Sequence, residues 1–316
     1  MQFKKLGNSE LAVSPLCFGG NVFGWTLDEA SSFKILDAFT DQGLNFIDTA
    51  NSYSRWAPGN KGGESETIIG KWLKNSGKRD RIVLATKVGS NLSPEQKGLS
   101  RKYIMQAVEE SLNRFQTDFI DLYQSHYDDP DTPVDETLEA FSALIKSGKV
   151  RVIGASNFSG MRLIESLNSS ERLGIPRYES LQPEYNLYSR EKYEREYEPI
   201  IKEKNLGVLP YYSLASGFLT GKYRSEQDFN KSARGTGISK YMNDRGFRIL
   251  SVLDEIANQH RVTPATISLA WLMARPGITA PIASATTINQ LNELVNATEI
   301  SLDASSIELL NQASTY

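Results

Sequence analysis

Short apolar runs alternate with longer stretches of helical periodicity along nearly the whole chain. The first run, Leu16-Cys17-Phe18, ends at Gly19-Gly20, and a helical pattern follows over 28–42. Next come a run at 45–48 with a helix over 64–75, one at 82–86 with a helix over 100–115, and one at 119–123 with a helix over 134–146. Ser100 stands where it would cap a helix start, and Gly148 where a helix would stop. The second half repeats the theme, with runs at 150–153, 180–183, 206–210 and 279–283. Helical patterns lie at 160–167 and 191–203, and two more close the chain at 287–296 and 303–311. Ahead of all this, residues 1–5 and 11–13 flank Gly7-Asn8-Ser9 and read as a hairpin.

Eight buried strands alternating with helices predict an α/β fold, a (β/α)8 TIM barrel with an N-terminal β-hairpin and an extra C-terminal helix. A doubly wound open sheet is the alternative. No linker or composition shift divides the chain, so residues 1–316 are expected to form one domain. The longest irregular segment, 225–246, follows strand seven, is polar and carries Gly235, Gly237 and Gly246. A loop of that length is expected to close over a ligand. Beyond it, His260 reads as a polar helix tail, and no element is assigned up to strand eight.

Composition narrows the function classes. Hydrophobic residues make up 40% and charged residues 23%, which suits a globular core rather than disorder. A net charge of −3 with no basic stripe gives no reason to expect a nucleic-acid partner. The single cysteine, Cys17, excludes an intrachain disulfide, and with two histidines it cannot build a usual zinc site, so no metal is expected. No signal-peptide stretch or membrane-length apolar run occurs, so no membrane partner and a cytoplasmic location are expected. The Asn-x-Ser/Thr triplets then read as chance matches.

Four polar residues stand just past apolar runs: Asp48, Tyr53, Lys87 and His126. A polar side chain at the C-terminal end of a parallel strand points to a site at the barrel mouth. A phenol has an ordinary pKa near ~10, and a nearby ammonium favours its ionised form. Lys87 is expected to lower the Tyr53 pKa, with Asp48 holding Lys87 in place. Tyr53 then suits a general acid toward an oxygen gaining charge, and His126 suits a hydrogen-bond donor to that oxygen. Such a group needs hydride from elsewhere, which implies a nicotinamide cofactor. Each residue alone has a plain structural reading; the case rests on all four sharing one end of their strands.

Several segments together resemble the aldo-keto reductase family. They are Gly19-Gly20-Asn21-x-Phe23-Gly24, Phe46-Ile47-Asp48-Thr49-Ala50-x-x-Tyr53 with Gly63-Glu64-Ser65-Glu66, Gly154-Ala155-Ser156-Asn157-Phe158, Gln182-Pro183-x-Tyr185-Asn186 and Leu219-Thr220-Gly221-Lys222-Tyr223. The resemblance implies that Asp48, Tyr53, Lys87 and His126 form a catalytic tetrad, with Tyr53 the proton donor. It implies NADPH as cofactor, with NADH possible, and a small-molecule aldehyde or ketone as substrate. Ser156, Asn157 and Gln182 would hold the nicotinamide carboxamide, and Tyr211 would stack on the ring. Gly20, Asn21, Ser213, Leu214 and Ser284 would complete the cofactor cleft. Lys222 and Arg234 would reach the phosphates, and Thr286, Gln290 and Glu293 the adenosine end. Trp25, Trp56 and Tyr127 would line the substrate opening.

The chain departs from the family pattern in places. Tyr212-Ser213 stands where many relatives have Ser-Pro, Tyr127 where Trp often follows the histidine, Thr286 where a basic residue would meet a 2′-phosphate, and Leu294 where asparagine is frequent. Some relatives serve as potassium-channel regulatory subunits that bind NADPH with little turnover; this is the alternative function. Tyr188 and Lys192 have the spacing of short-chain dehydrogenases, but no Gly-x-Gly-x-x-Gly turn accompanies them, and no Gly-x-Ser-x-Gly elbow is present. Nothing marks an interface, so both a monomer and a homo-oligomer fit.

Overall fold

The computed structural model describes residues 1–316, apart from the side chain of Thr236. A two-stranded antiparallel hairpin, β1 (Lys4–Lys5) and β2 (Ala12–Val13), opens the chain. Eight parallel strands follow: β3 (Cys17–Gly19), β4 (Phe46–Asp48), β5 (Val83–Val88), β6 (Ile120–Ser125), β7 (Val150–Ser156), β8 (Tyr178–Gln182), β9 (Gly207–Val208) and β10 (Ile282–Ala283). From β3 to β9 each pairs with the next, and β10 pairs with β3. The remaining seam closes through the backbone, with Thr279 N donating to Val208 O at 2.9 Å and Ile282 N to Pro210 O at 2.8 Å. The result is a (β/α)8 barrel.

Strand parity sorts side chains into two cores, because alternate residues face opposite sides of a strand. Ile47, Leu84, Tyr123, Ala155 and Leu181 point outward and pack against the helices. Phe46, Val83, Ala85, Leu122 and Leu209 point into the lumen with Cys17. The hairpin supplies Leu6, Leu11 and Val13 to this inner cluster and so plugs one end of the barrel. The same inward parity carries Asp48, Lys87, Gln124, Ser156 and Gln182 at the other end, where they form a polar layer above the apolar floor.

The outer ring comprises α1 (Glu29–Asp41), α2 (Glu64–Ser76), α3 (Arg101–Phe115), α4 (Val134–Lys146), α5 (Gly160–Leu173), α6 (Glu198–Lys204, entered through one π-helical turn at Tyr193–Tyr197), α7 (Asp244–His260), α8 (Pro264–Ala274), α9 (Ile288–Asn296) and α10 (Ala304–Ala313). Side-chain caps start many of them: Asp28, Ser100, Ser159, Asn243, Thr263, Thr287 and Asp303 each accept from a first-turn amide. The extra C-terminal helix α10 lies against α7, where Arg245 and Arg248 donate to the carbonyls of Ser314 and Ala313.

Two expectations change here. Helices α7 and α8 fill the stretch where the sequence reading assigned only a helix tail, and His260 is the last residue of α7. The segment 225–246 is less irregular than expected. It holds short 3-10 turns at Glu226–Lys231, Gly235–Gly237 and Ser239–Tyr241, and Gly246 already belongs to α7. Gly246 is forced by packing: a Cβ there would lie 1.9 Å from Tyr241 O. Among the described residues, no helix is long and apolar enough to cross a membrane.

Candidate active site

The strand ends open on a cavity of about 1170 Å³. Its floor is a hydrogen-bonded layer built on Asp48. Lys87 Nζ lies 2.5 Å from Asp48 Oδ2, 2.8 Å from Thr49 O and 3.0 Å from the Tyr53 hydroxyl. Asp48 and Lys87 are both fully buried. The other carboxylate oxygen, Asp48 Oδ1, accepts from Gln124 Nε2 and Gln182 Nε2, each at 3.0 Å. Lys87 does not line the cavity, whereas Asp48 and Tyr53 do, so the ammonium meets it only through these two partners.

Burial pulls the Lys87 ammonium pKa down, but Asp48 and Tyr53 outweigh it and leave the value at about 12. For Tyr53, burial pushes the phenol up to about 12, against the pull of Lys87. Lowering by Lys87, expected from the sequence, is therefore real as one interaction but loses to desolvation. The phenol stays protonated across the neutral range. Burial first, and then Lys87, hold the His126 imidazole well below its ordinary range, so the ring is neutral. Ser52 Oγ donates to Ser90 Oγ at 3.1 Å, and Ser90 Oγ lies 2.8 Å from His126 Nδ1. In the tautomer in which Ser90 donates to Nδ1, the ring N–H sits on Nε2, free to act as a donor.

The wall beside this floor carries Ser156, Asn157, Gln182 and Tyr211. Asn157 holds a left-handed backbone, φ 57°, at the end of β7. Its Nδ2 donates to His126 O at 2.9 Å and Ser156 Oγ at 3.1 Å, and its Oδ1 accepts from the Tyr211 hydroxyl at 2.8 Å. Ser156 Oγ donates to the Gln182 carbonyl at 3.0 Å. The opposite stretch is lined by Asn21, Ser213, Leu214, Lys222, Arg234, Ser284, Thr286, Gln290 and Glu293. Ser284 Oγ donates to Gly19 O at 2.7 Å; a Cβ on Gly19 would meet that same Oγ at 2.7 Å, so this approach requires glycine. Thr286 N and Oγ1 both donate to Gln290 Oε1.

Segment 225–246 contributes Lys231, Ser232, Ala233 and Arg234 to the lining. Arg234 lies with its guanidinium 5.5 Å from the Trp25 ring, and with the Asn21 amide turned to satisfy both its atoms, Asn21 Oδ1 accepts from Arg234 Nη2 at 2.8 Å. Among the described residues, neither Arg234 nor Lys222 pairs with a carboxylate. Two partly buried cations without counter-ions, lining the same cavity as Ser156, Gln182 and an exposed aromatic face, suit a phosphate-bearing dinucleotide.

Not every candidate residue lines this space. Gly20 packs against α2, where its carbonyl accepts from Ser65 Oγ at 2.7 Å. Trp25 stands behind Trp56, edge-on at 5.6 Å, while Trp56 and Tyr127 line the opening and are about half exposed. Tyr188 and Lys192 lie outside the lining. Sequence reasoning missed Ser90, which orients His126, Arg55 at the rim, and Gln124. Gln124 precedes His126 by two positions on the same face of its strand, which is the one signal that would have found it.

A sequence model of the Aldo/keto reductase family matches residues 15–315. The chain belongs to the aldo/keto reductase family. It is 38% identical to "Uncharacterized oxidoreductase YrpG" of Bacillus subtilis (strain 168), over 98% of this chain and 95% of that protein. It is 36% identical to "Aldo-keto reductase YhdN" of the same organism, over 94% and 87%, and 34% identical to "Probable voltage-gated potassium channel subunit beta" of Arabidopsis thaliana, over 95% and 92%. Membership and these relatives make it an oxidoreductase in the general sense.

Proposed function

We propose that the protein reduces aldehydes or ketones to alcohols, with NADPH as the expected hydride donor and NADH as an alternative. The dinucleotide would lie along the wall from Gln182 and Tyr211 toward Lys222, Arg234 and Gln290. When bound, it supplies hydride to the carbonyl carbon. Tyr53 gives its hydroxyl proton to the carbonyl oxygen, so the C=O bond becomes an alcohol while the nicotinamide is oxidised. His126 Nε2–H directs the same oxygen, and Lys87 stabilises the phenolate left behind. Trp56 and Tyr127 would flank the entering carbonyl.

The observation that carries this reading is the 3.0 Å contact between Lys87 Nζ and the Tyr53 hydroxyl, at the floor of a cavity whose adjoining wall presents amide-binding groups. The test is purified protein with NADPH or NADH and a panel of aromatic and aliphatic aldehydes, followed at the nicotinamide absorbance. Carbonyl-dependent oxidation that vanishes in Tyr53→Phe is the expected result. Tight cofactor binding with no turnover on any carbonyl would instead favour the regulatory role that the channel-subunit name of the Arabidopsis relative suggests.

A further inference from the structure

Gln124 has no assigned task. Its side chain is fully buried in the barrel lumen, and it does not line the cavity. It touches Asp48 and Gln182, and the directions of those contacts are dictated by chemistry. Asp48, ion-paired with Lys87, is a carboxylate and accepts only. Any amide meeting Oδ1 must therefore present its NH2. Gln124 and Gln182 both do so, at 3.0 Å. With its nitrogen on Asp48, Gln124 turns Oε1 toward Gln182, whose Nε2 donates to it at 3.1 Å. Both hydrogens of the Gln182 amide are thereby engaged. What Gln182 offers the cavity is Oε1 alone, an acceptor.

We propose that Gln124 is a positioning residue that fixes Gln182 as an acceptor toward the cavity, and through it fixes which face of a bound nicotinamide ring meets the substrate. The inference rests on the proposed function, in which the nicotinamide carboxamide lies against Gln182. A primary carboxamide meets an acceptor with its NH2. That contact sets the carboxamide's direction, and a ring turned over about its ribose bond cannot reproduce it. Leucine at 124 would fill similar space while leaving one Gln182 N–H buried without an acceptor. A Gln182 side chain turned to present NH2 to the cavity then competes, and the ring loses its preferred face.

The experiment uses Gln124→Leu and Gln124→Glu with NADPH carrying deuterium at one or the other C4 position and an aromatic aldehyde that the wild type reduces. Deuterium in the alcohol is counted by mass spectrometry. Wild type is expected to transfer from one C4 position only. Gln124→Leu is expected to transfer from both and to bind NADPH about tenfold more weakly by fluorescence titration, as one orphaned buried N–H implies. Its affinity for 2′-phospho-ADP-ribose, which lacks nicotinamide, should not change. Gln124→Glu should recover NADPH affinity as pH falls from 8 toward 6, because a protonated carboxyl both donates to Asp48 and accepts from Gln182. Unchanged affinity with one-sided transfer in Gln124→Leu overturns the proposal, as does an equal loss for NADPH and the fragment. A wild type that binds no dinucleotide overturns the proposed function and this inference together, and is distinguished by appearing before any substitution.

Discussion

Lys87 acts at a distance of one residue. Its charge is fully buried and reaches the cavity only through its partners Asp48 and the Tyr53 hydroxyl. Removing the phenol's oxygen therefore separates chemistry from binding. Tyr53→Phe is expected to lower kcat by ~10²–10⁴-fold, the usual contribution of a general acid, with the Kd for cofactor within twofold of wild type. Stopped-flow turnover and fluorescence titration check the two halves. Lys87→Met is a different experiment, because it leaves a buried carboxylate without its counter-ion. That should cost ~3–5 kcal/mol of stability as well as activity. Adding Asp48→Asn removes the stranded charge. The double variant should regain most of the lost Tm while kcat stays low. A double variant that recovered turnover would show that the ammonium has no part in the chemistry.

At the scale of elements, close approach explains several features that composition alone does not. Gly70 lies in α2 where a Cβ would meet Arg114 O at 2.1 Å, so α2 and α3 pack backbone to backbone at that point. Gly70→Ala is expected to cost ~1–3 kcal/mol by forcing the helices apart, read as a fall in the urea midpoint, with kcat at 25 °C unchanged. The strands and most helices were legible because apolar runs and amphipathic patterns alternate with little ambiguity. Helix α8 was not, for a physical reason: Ala265 through Leu272 are all buried, so no polar face exists to give a period. Helix α7 does carry one, in Ile249, Leu250, Leu253, Ile256 and Ala257, but its first turn runs on from the glycine-bearing polar segment. The strand-end candidates were legible because parity places Asp48, Lys87 and His126 alike. Gln124 was not, since one amide among the polar residues of its strand carries no sign of what it touches, and the burial that overrides Lys87 at Tyr53 is a property of the closed barrel alone.

Taken as a whole molecule, the barrel is a stack: a hairpin-plugged apolar floor, a buried layer of paired polar groups, and the open cavity above. The middle layer makes stability depend on pH at both ends of the scale. On the alkaline side, Tyr53 and Lys87 have folded pKa values of about 12, raised from ordinary values of 10.0 and 10.5. A raised folded value means the native state keeps its proton while the unfolded chain loses it. The stabilisation is complete below pH 10 and is lost as pH rises toward 12. On the acid side the sign reverses. The folded His126 pKa lies well below 6.5, so below that pH the unfolded chain takes up a proton that the native state refuses. Stability should therefore fall as pH drops under 6.5, by up to ~1.4 kcal/mol per pH unit for this one group. Urea unfolding of wild type and His126→Gln between pH 8 and 5 checks the attribution. The variant should lie lower than wild type at pH 8, where the Ser90 bond is lost, and the gap should narrow as pH falls. A gap that stays constant down to pH 5 would mean that the native imidazole takes up its proton as readily as the unfolded chain does, and would overturn the lowering by burial and Lys87 on which its neutrality at acid pH rests.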